Sequence, residues 1–256
     1  MRVDELLRKL CPIAAHIRKS LTRLLLLPLA WLTAACTTIG MHDAESLEAA
    51  DFGPREELRI CVLADEGITE EDAQRLIAKV GEEFSVFGLE VSVPWVRRWV
   101  RSGFLMEGIV TDVWQESLEP PCDRLLALVG RNFGDFLWGL IGVEILGAVD
   151  TPTHSRGYVI AQAVSLNQIF SSPSDIIIHE SYHFLGCEHG VNLSQCYAHI
   201  RDLKRIARAN REAGNDFFPG VSMKGRPITS RHEANWVMTH AVRLAQLEHP
   251  RKSDLP

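Results

Sequence analysis

The chain has 256 residues, a hydrophobic fraction of 46% and a charged fraction of 23%, with a mean hydropathy near zero. That allows one sizeable core, is too short for several full domains, and excludes wholesale disorder. The formal charge is −6 and the pI about 5.9, which excludes a general affinity for nucleic acid, because phosphate binding draws on net positive charge.

Arg18, Lys19 and Arg23 lead into an apolar run from Leu24 to Ala35. The run is too short to span a bilayer as a helix and ends in small residues, which is the layout of an export signal. Leu32-Thr33-Ala34-Ala35-Cys36 resembles a bacterial lipobox, whose Cys becomes the lipid-modified N-terminus. The expected organisation is therefore a signal peptide over 1–35 and a polar, lipid-anchored tether over 36–57. A domain follows over 58–249, then a tail over 250–256. The lipobox resemblance implies a lipoprotein held to the membrane through Cys36, on the periplasmic side of a bacterial membrane or at the cell surface. Loss of 1–35 removes Arg2, Arg8, Lys9, Arg18, Lys19 and Arg23 against only Asp4 and Glu5, and leaves a more acidic, soluble domain. Cys11 falls in the signal and Cys36 is the anchor. Cys61, Cys122, Cys187 and Cys196 remain, an even number for an oxidising compartment. Cys187 and Cys196 are close enough in sequence to bridge. Four small buried thiols are the alternative.

Leu58–Leu63 reads as a strand. Thr69 opens a helix with Asp72 at the capping-box position, and Ala73, Leu76, Ile77, Val80, Phe84 and Phe87 share one face. Gly88 stops it and Leu89–Trp95 alternates as a second strand, so the first forty residues of the domain form a βαβ unit. Leu125–Val129 is a third strand. Phe133–Val149, apolar but broken by Asp135, Glu144 and glycines, reads as a loop and a strand rather than a membrane span. Tyr158–Val164 is a further strand. Ser172, Pro173 and Asp175 punctuate the start of a helix that runs to Leu185 and stops at Gly186. Two more helices follow, over Ser194–Ala213 and from Ser230, with Glu233 capping, to about Leu247. No internal repeat is present.

The chemistry lies on the punctuated helix. His179-Glu180-Ser181-Tyr182-His183-Phe184-Leu185-Gly186-Cys187-Glu188-His189 is an HExxHxxGxxH motif. His179 and His183 are one turn apart, so both imidazoles can hold one Zn²⁺. Gly186 lets the chain leave the helix in a left-handed turn that returns His189 as a third ligand. Glu180, beside the first ligand, is placed to act as general base toward a water at the open position. The full pattern arises by chance in on the order of 1 in 10,000 chains of this length.

This motif resembles that of the metzincin zinc metallopeptidases, and the order of elements from about Leu58 to Leu247 is similar. The resemblance implies an α/β (α+β) fold. Its N-terminal subdomain (58–189) holds a twisted mixed sheet with two helices, and its C-terminal subdomain (190–249) is smaller and mostly helical. It implies His179, His183 and His189 as ligands of one zinc ion and Glu180 as catalytic base. Met223, in Pro219-Gly220-Val221-Ser222-Met223-Lys224, is the best match to the family's Met-turn, with Met238 read as core. The strand before the motif helix, about Gly157–Ala161, is expected to take substrate backbone by strand addition. Tyr158 and Tyr182 are candidate extra donors to the oxyanion. Gly190 follows the third His, Gly225 rather than Tyr lies two residues after Met223, and the paired cysteines with which archaemetzincins bind a second zinc are absent. The resemblance therefore stops at the clan.

The expected function is a monomeric, membrane-tethered zinc endopeptidase acting on a peptide or protein. The alternative is a non-catalytic zinc-binding interaction protein of the cell envelope, against which the intact Glu180 argues. Arg201, Lys204, Arg205, Arg208 and Arg211 read as a solvated basic helix face. His154, His199, His232 and His240 read as isolated, and Trp95, Trp99, Trp114 and Trp138 as core or cleft wall.

Overall fold

The computed structural model describes Leu47 and residues 50–102, 106–130, 145–162, 172–189 and 192–248. The expected signal peptide, Cys36, Trp138 and the tail lie outside the described residues. Among the described residues, no helix is long and apolar enough to cross a membrane.

The fold is a mixed α/β arrangement around a mostly parallel sheet. In chain order its elements are β1 (Glu56–Ala64), α1 (Glu70–Phe84), β2 (Leu89–Ser92), β3 (Val96–Arg98), α2 (Met106–Gln115), β4 (Arg124–Val129), β5 (Gly147–Val149) and β6 (Arg156–Ile160). Then come α3 (Pro173–Phe184), α4 (Leu193–Glu212), β7 (Gly220–Val221), β8 (Pro227–Ile228) and α5 (Arg231–Glu248). The sheet order is β2-β1-β4-β6-β5, and β3 also pairs with β1. Every pairing in this sheet is parallel except that of β5 with β6. β7 and β8 form a separate antiparallel hairpin.

The Leu89–Trp95 strand expected from alternation is interrupted. Ser92 pairs with Arg59 and Val96 with Val62, so the outer strand carries one extra residue at Val93–Trp95. Pro94 stands in that step, where a residue without an N–H is tolerated. Both pieces lie along the same edge of β1.

Side chains alternate across the sheet. Cys61 and Leu63, Leu125, Ala127 and Val129, and Tyr158 and Ile160 face one side, in a core shared with Ile109 and Val113 of α2 and Ala234 of α5. Ile60, Val62, Leu126, Leu128 and Val159 face the other side, which α1 and α3 cover. β1 and β4 are apolar runs because both of their faces are covered. α2 is an addition to the elements expected from periodicity.

Both expected capping boxes form, Thr69 with Asp72 on α1 and Ser172 with Asp175 on α3. Cys61 bridges to Cys122 and Cys187 to Cys196. The first closes a long loop and should contribute about 4 kcal/mol through the unfolded chain's lost entropy.

The fold begins ahead of Leu58. Phe52 packs edge-on against Phe87 and Tyr197, and buried Glu56 pairs with Arg208 and Arg211 of α4. The basic face of α4 is thus only partly solvated. Arg205 pairs with Asp202 on the surface, whereas Lys204 is buried and donates to the Phe87 carbonyl at 2.6 Å.

Asp123, just before β4, joins the sheet to the C-terminal segment. Its buried carboxylate accepts from the Arg59 N–H and Nε, both at 3.0 Å, from the Phe218 N–H at 2.9 Å, and from Arg231 at 3.3 Å. Asp123→Ala leaves these donors without their common acceptor. It is expected to destabilise the fold by about 3–5 kcal/mol, measured by urea unfolding. A loss under about 1 kcal/mol would show that the network is not structural.

Candidate metal centre

The local sequence dictates the site in two steps. α3 presents His179 and His183 on one face, with ring centroids 5.0 Å apart. The helix then ends in a Schellman motif. Gly186 N–H donates to the His183 carbonyl at 2.8 Å and Cys187 N–H to the Tyr182 carbonyl at 3.1 Å. Gly186 has φ +75°, and a Cβ there would stand 2.8 Å from His199 Nε2 and from Val221 Cγ2, so both the conformation and the space demand glycine. The turn returns His189 to the other two rings, at centroid distances of 5.0 and 4.6 Å.

One ligand nitrogen from each of His179, His183 and His189 lies within 4.8 Å of the others. Among the described residues, this is the one group of three or more His, Cys, Asp or Glu side chains so gathered. Burial, then the neighbouring imidazoles, pull His183 down to about 4, so it is neutral and able to ligate at pH 7. Three imidazole nitrogens with no thiolate suit a borderline divalent ion such as zinc.

Glu180 is 7% exposed, and burial pushes its carboxyl up to about 8. It lies against β5. A Cβ on Gly147 would stand 2.8 Å from Glu180 Oε1 and closer still to its Cγ, so only glycine lets the strand pass this carboxyl.

Three expectations are corrected. β6 cannot take a further strand, because β4 and β5 already pair with its two edges. The strand at this end of the sheet is β5, which among the described residues pairs only with β6. Met223 does not lie beneath the ligands. It is 71% exposed in the β7–β8 turn, and the side chain of that hairpin packed against Gly186 is Val221. Met238 is buried on α5, as expected. Tyr182 is no donor to the site, since its hydroxyl donates to Glu83 at 2.7 Å and its ring packs on Phe84. Tyr158 is buried with its hydroxyl 3.5 Å from the Ile145 carbonyl.

Sequence reasoning set aside His154 and His199 as isolated, yet both lie at this turn. His154 Nε2 is 2.7 Å from Glu188 Oε1, and the His199 ring borders Gly186. Neither carries a local signal, because their partners are distant in sequence.

No protein-family model matches the chain, and no curated protein matches it in sequence. Among solved structures, it is similar to the archaemetzincin of Methanopyrus kandleri, with 14% identity and a TM-score of 0.34, over 57% of this chain and 86% of that one.

The Glu180 shift has a measurable consequence without metal. As pH rises from about 4.5 to 8, the unfolded chain's Glu180 ionises while the folded one stays protonated, so folding loses stability across that window. Glu180→Gln removes this penalty. Without metal, the variant should be more stable than wild type by up to about 4 kcal/mol at pH 8 and equal to it near pH 4, by thermal or urea unfolding. Equal stability of the two proteins at pH 8 would contradict the buried carboxyl.

Proposed function

We propose that the chain is a zinc-dependent endopeptidase that hydrolyses peptide bonds in a peptide or protein substrate. In this reading it is exported, anchored through a lipidated Cys36 in the cell envelope, and works as a monomer. The observation that carries the reading is the gathering of three imidazoles from α3 and the turn after it, with the buried Glu180 carboxyl of the same helix lying against β5. His179, His183 and His189 would hold one zinc ion. When bound, zinc supplies a Lewis acid that polarises a carbonyl and lowers the pKa of water.

The chain's own groups would supply the rest. Glu180 takes a proton from the attacking water and returns it to the leaving amine. Burial keeps Glu180 protonated, and an ion held by the three histidines would favour its ionised form. β5 offers its outer edge to an extended peptide, whose backbone would run past Glu180 where Gly147 leaves room. Glu180 itself, 7% exposed, is shielded from bulk water.

Two disulfides support export, because such bridges persist outside a reducing cytosol. The acidic balance agrees with a partner other than nucleic acid.

The full chain, beside Glu180→Ala and His189→Ala, should bind one equivalent of zinc in wild type and in Glu180→Ala, and bind it far more weakly in His189→Ala. Against a mixed peptide library, Glu180→Ala should lose at least about 100-fold in cleavage rate. Zinc binding without cleavage by wild type would favour the non-catalytic binding protein.

A further inference from the structure

The zinc site leaves one buried histidine unassigned. His154 lies in the turn between β5 and β6, is 3% exposed and has φ +51°, the left-handed region that residues other than glycine enter at a cost. The Asp150 carboxylate imposes that turn. It accepts from the Thr153 N–H at 2.6 Å, from the Ser155 and Arg156 N–H groups at 2.7 Å, and from the His154 N–H at 3.1 Å. Asp150 is itself fully buried, so the strained backbone is fixed from below.

The His154 ring then spans two separate segments. Nδ1 donates to the Val221 carbonyl on β7 at 2.8 Å, and Nε2 meets Glu188 Oε1 at 2.7 Å. A carbonyl can only accept, so Nδ1 carries the proton of its bond to Val221, and the ring ties β7 to the half-exposed Glu188 side chain. Glu188 directly precedes His189. The other side of this segment is fixed by Cys187, bridged to Cys196 on α4. His189 itself is exposed and belongs to no helix or strand.

We propose that His154 is the positioning residue of the metal centre: by holding Glu188 it fixes the segment after α3 so that the His189 imidazole meets those of His179 and His183. The inference rests on the reading of these three histidines as a zinc site. His154 touches neither substrate nor ion in this role. It acts through Glu188, as partners behind a ligand shell do, and their loss costs metal affinity by 10–100-fold. Because one hydrogen bond carries the effect, removing either end of it should have the same consequence.

The test measures zinc affinity of the full chain by competition with a chromogenic chelator, together with thermal unfolding of each metal-free protein. The variants are His154→Asn, Glu188→Ala, their double variant and His189→Ala. Asn tolerates the left-handed backbone but cannot span to Glu188 and Val221 together. Glu188→Ala breaks the same bond from its half-exposed end and spares the buried turn. The expected result is a loss of about 10- to 100-fold in affinity in each single variant and no further loss in the double variant. Wild-type affinity in Glu188→Ala, or additive losses in the double variant, overturns the positioning role even where His189→Ala abolishes binding. Equal zinc affinity of wild type and His189→Ala overturns the zinc site itself, and the inference with it.

Discussion

One helix can offer an ion only the ligands on one face, and a third ligand so close in sequence requires the chain to reverse at once. That constraint governs the region. The reversal takes place in the residues after His183, whose own carbonyl closes the Schellman motif. The ligand and the helix stop are therefore the same piece of backbone. Gly186 is demanded twice, by its positive φ and by the Val221 and His199 side chains that fill the space a Cβ would take. A site built this way is only as rigid as the elements behind the turn.

Those elements are held by the first residues of β4. The fully buried Arg124 guanidinium donates to the Phe184 carbonyl at the end of α3, at 3.1 Å, and to the Phe218 and Pro219 carbonyls at 3.1 and 2.6 Å. A cation at that point also answers the negative end of the α3 dipole. Its neighbour Asp123 gathers Arg59, Arg231 and the Phe218 N–H. Two consecutive side chains thus tie the central sheet, the end of the motif helix and the approach to the β7–β8 hairpin together. The hairpin in turn presents Val221 to Gly186 and its carbonyl to His154. Support runs from the sheet through the helix end to the ligand segment.

What was legible in the sequence was local. Thr69 with Asp72 and Ser172 with Asp175 marked helix starts because capping boxes are made by residues three apart. β1 and β4 were legible as short apolar runs, and the motif gave its turn through Gly186. α2 was missed although Ile109, Val110, Val113 and Trp114 recur at helical spacing. No capping pattern announces its start, and Gly108 weakens its propensity. The sequence points to β6 as the outer strand because β5 is three residues long and its antiparallel return depends on the turn that Asp150 organises. Met223 matches the family only by its place in a Gly/Pro-rich loop, but a two-residue strand pairing decides which hairpin side chains face inward, and those are Val221 and Ile228. The Cys61–Cys122 bridge and the His154–Glu188 contact join residues far apart in sequence, and no local pattern encodes either.

The electrostatics of the centre form a single set. Burial disfavours charge on both kinds of group there, raising Glu180 to about 8 and lowering His183 to about 4. At neutral pH, without an ion, burial keeps the Glu180 carboxyl protonated and the His183 imidazole neutral. A divalent cation held by the three histidines would favour the ionised carboxyl and leave the imidazole neutral, since a neutral ring is the ligating form. Ion binding and ionisation of Glu180 would therefore be linked through solvation. In the proposed peptidase, the same burial that costs stability at alkaline pH would prepare Glu180 to act as a base only once a cation is held by the three histidines.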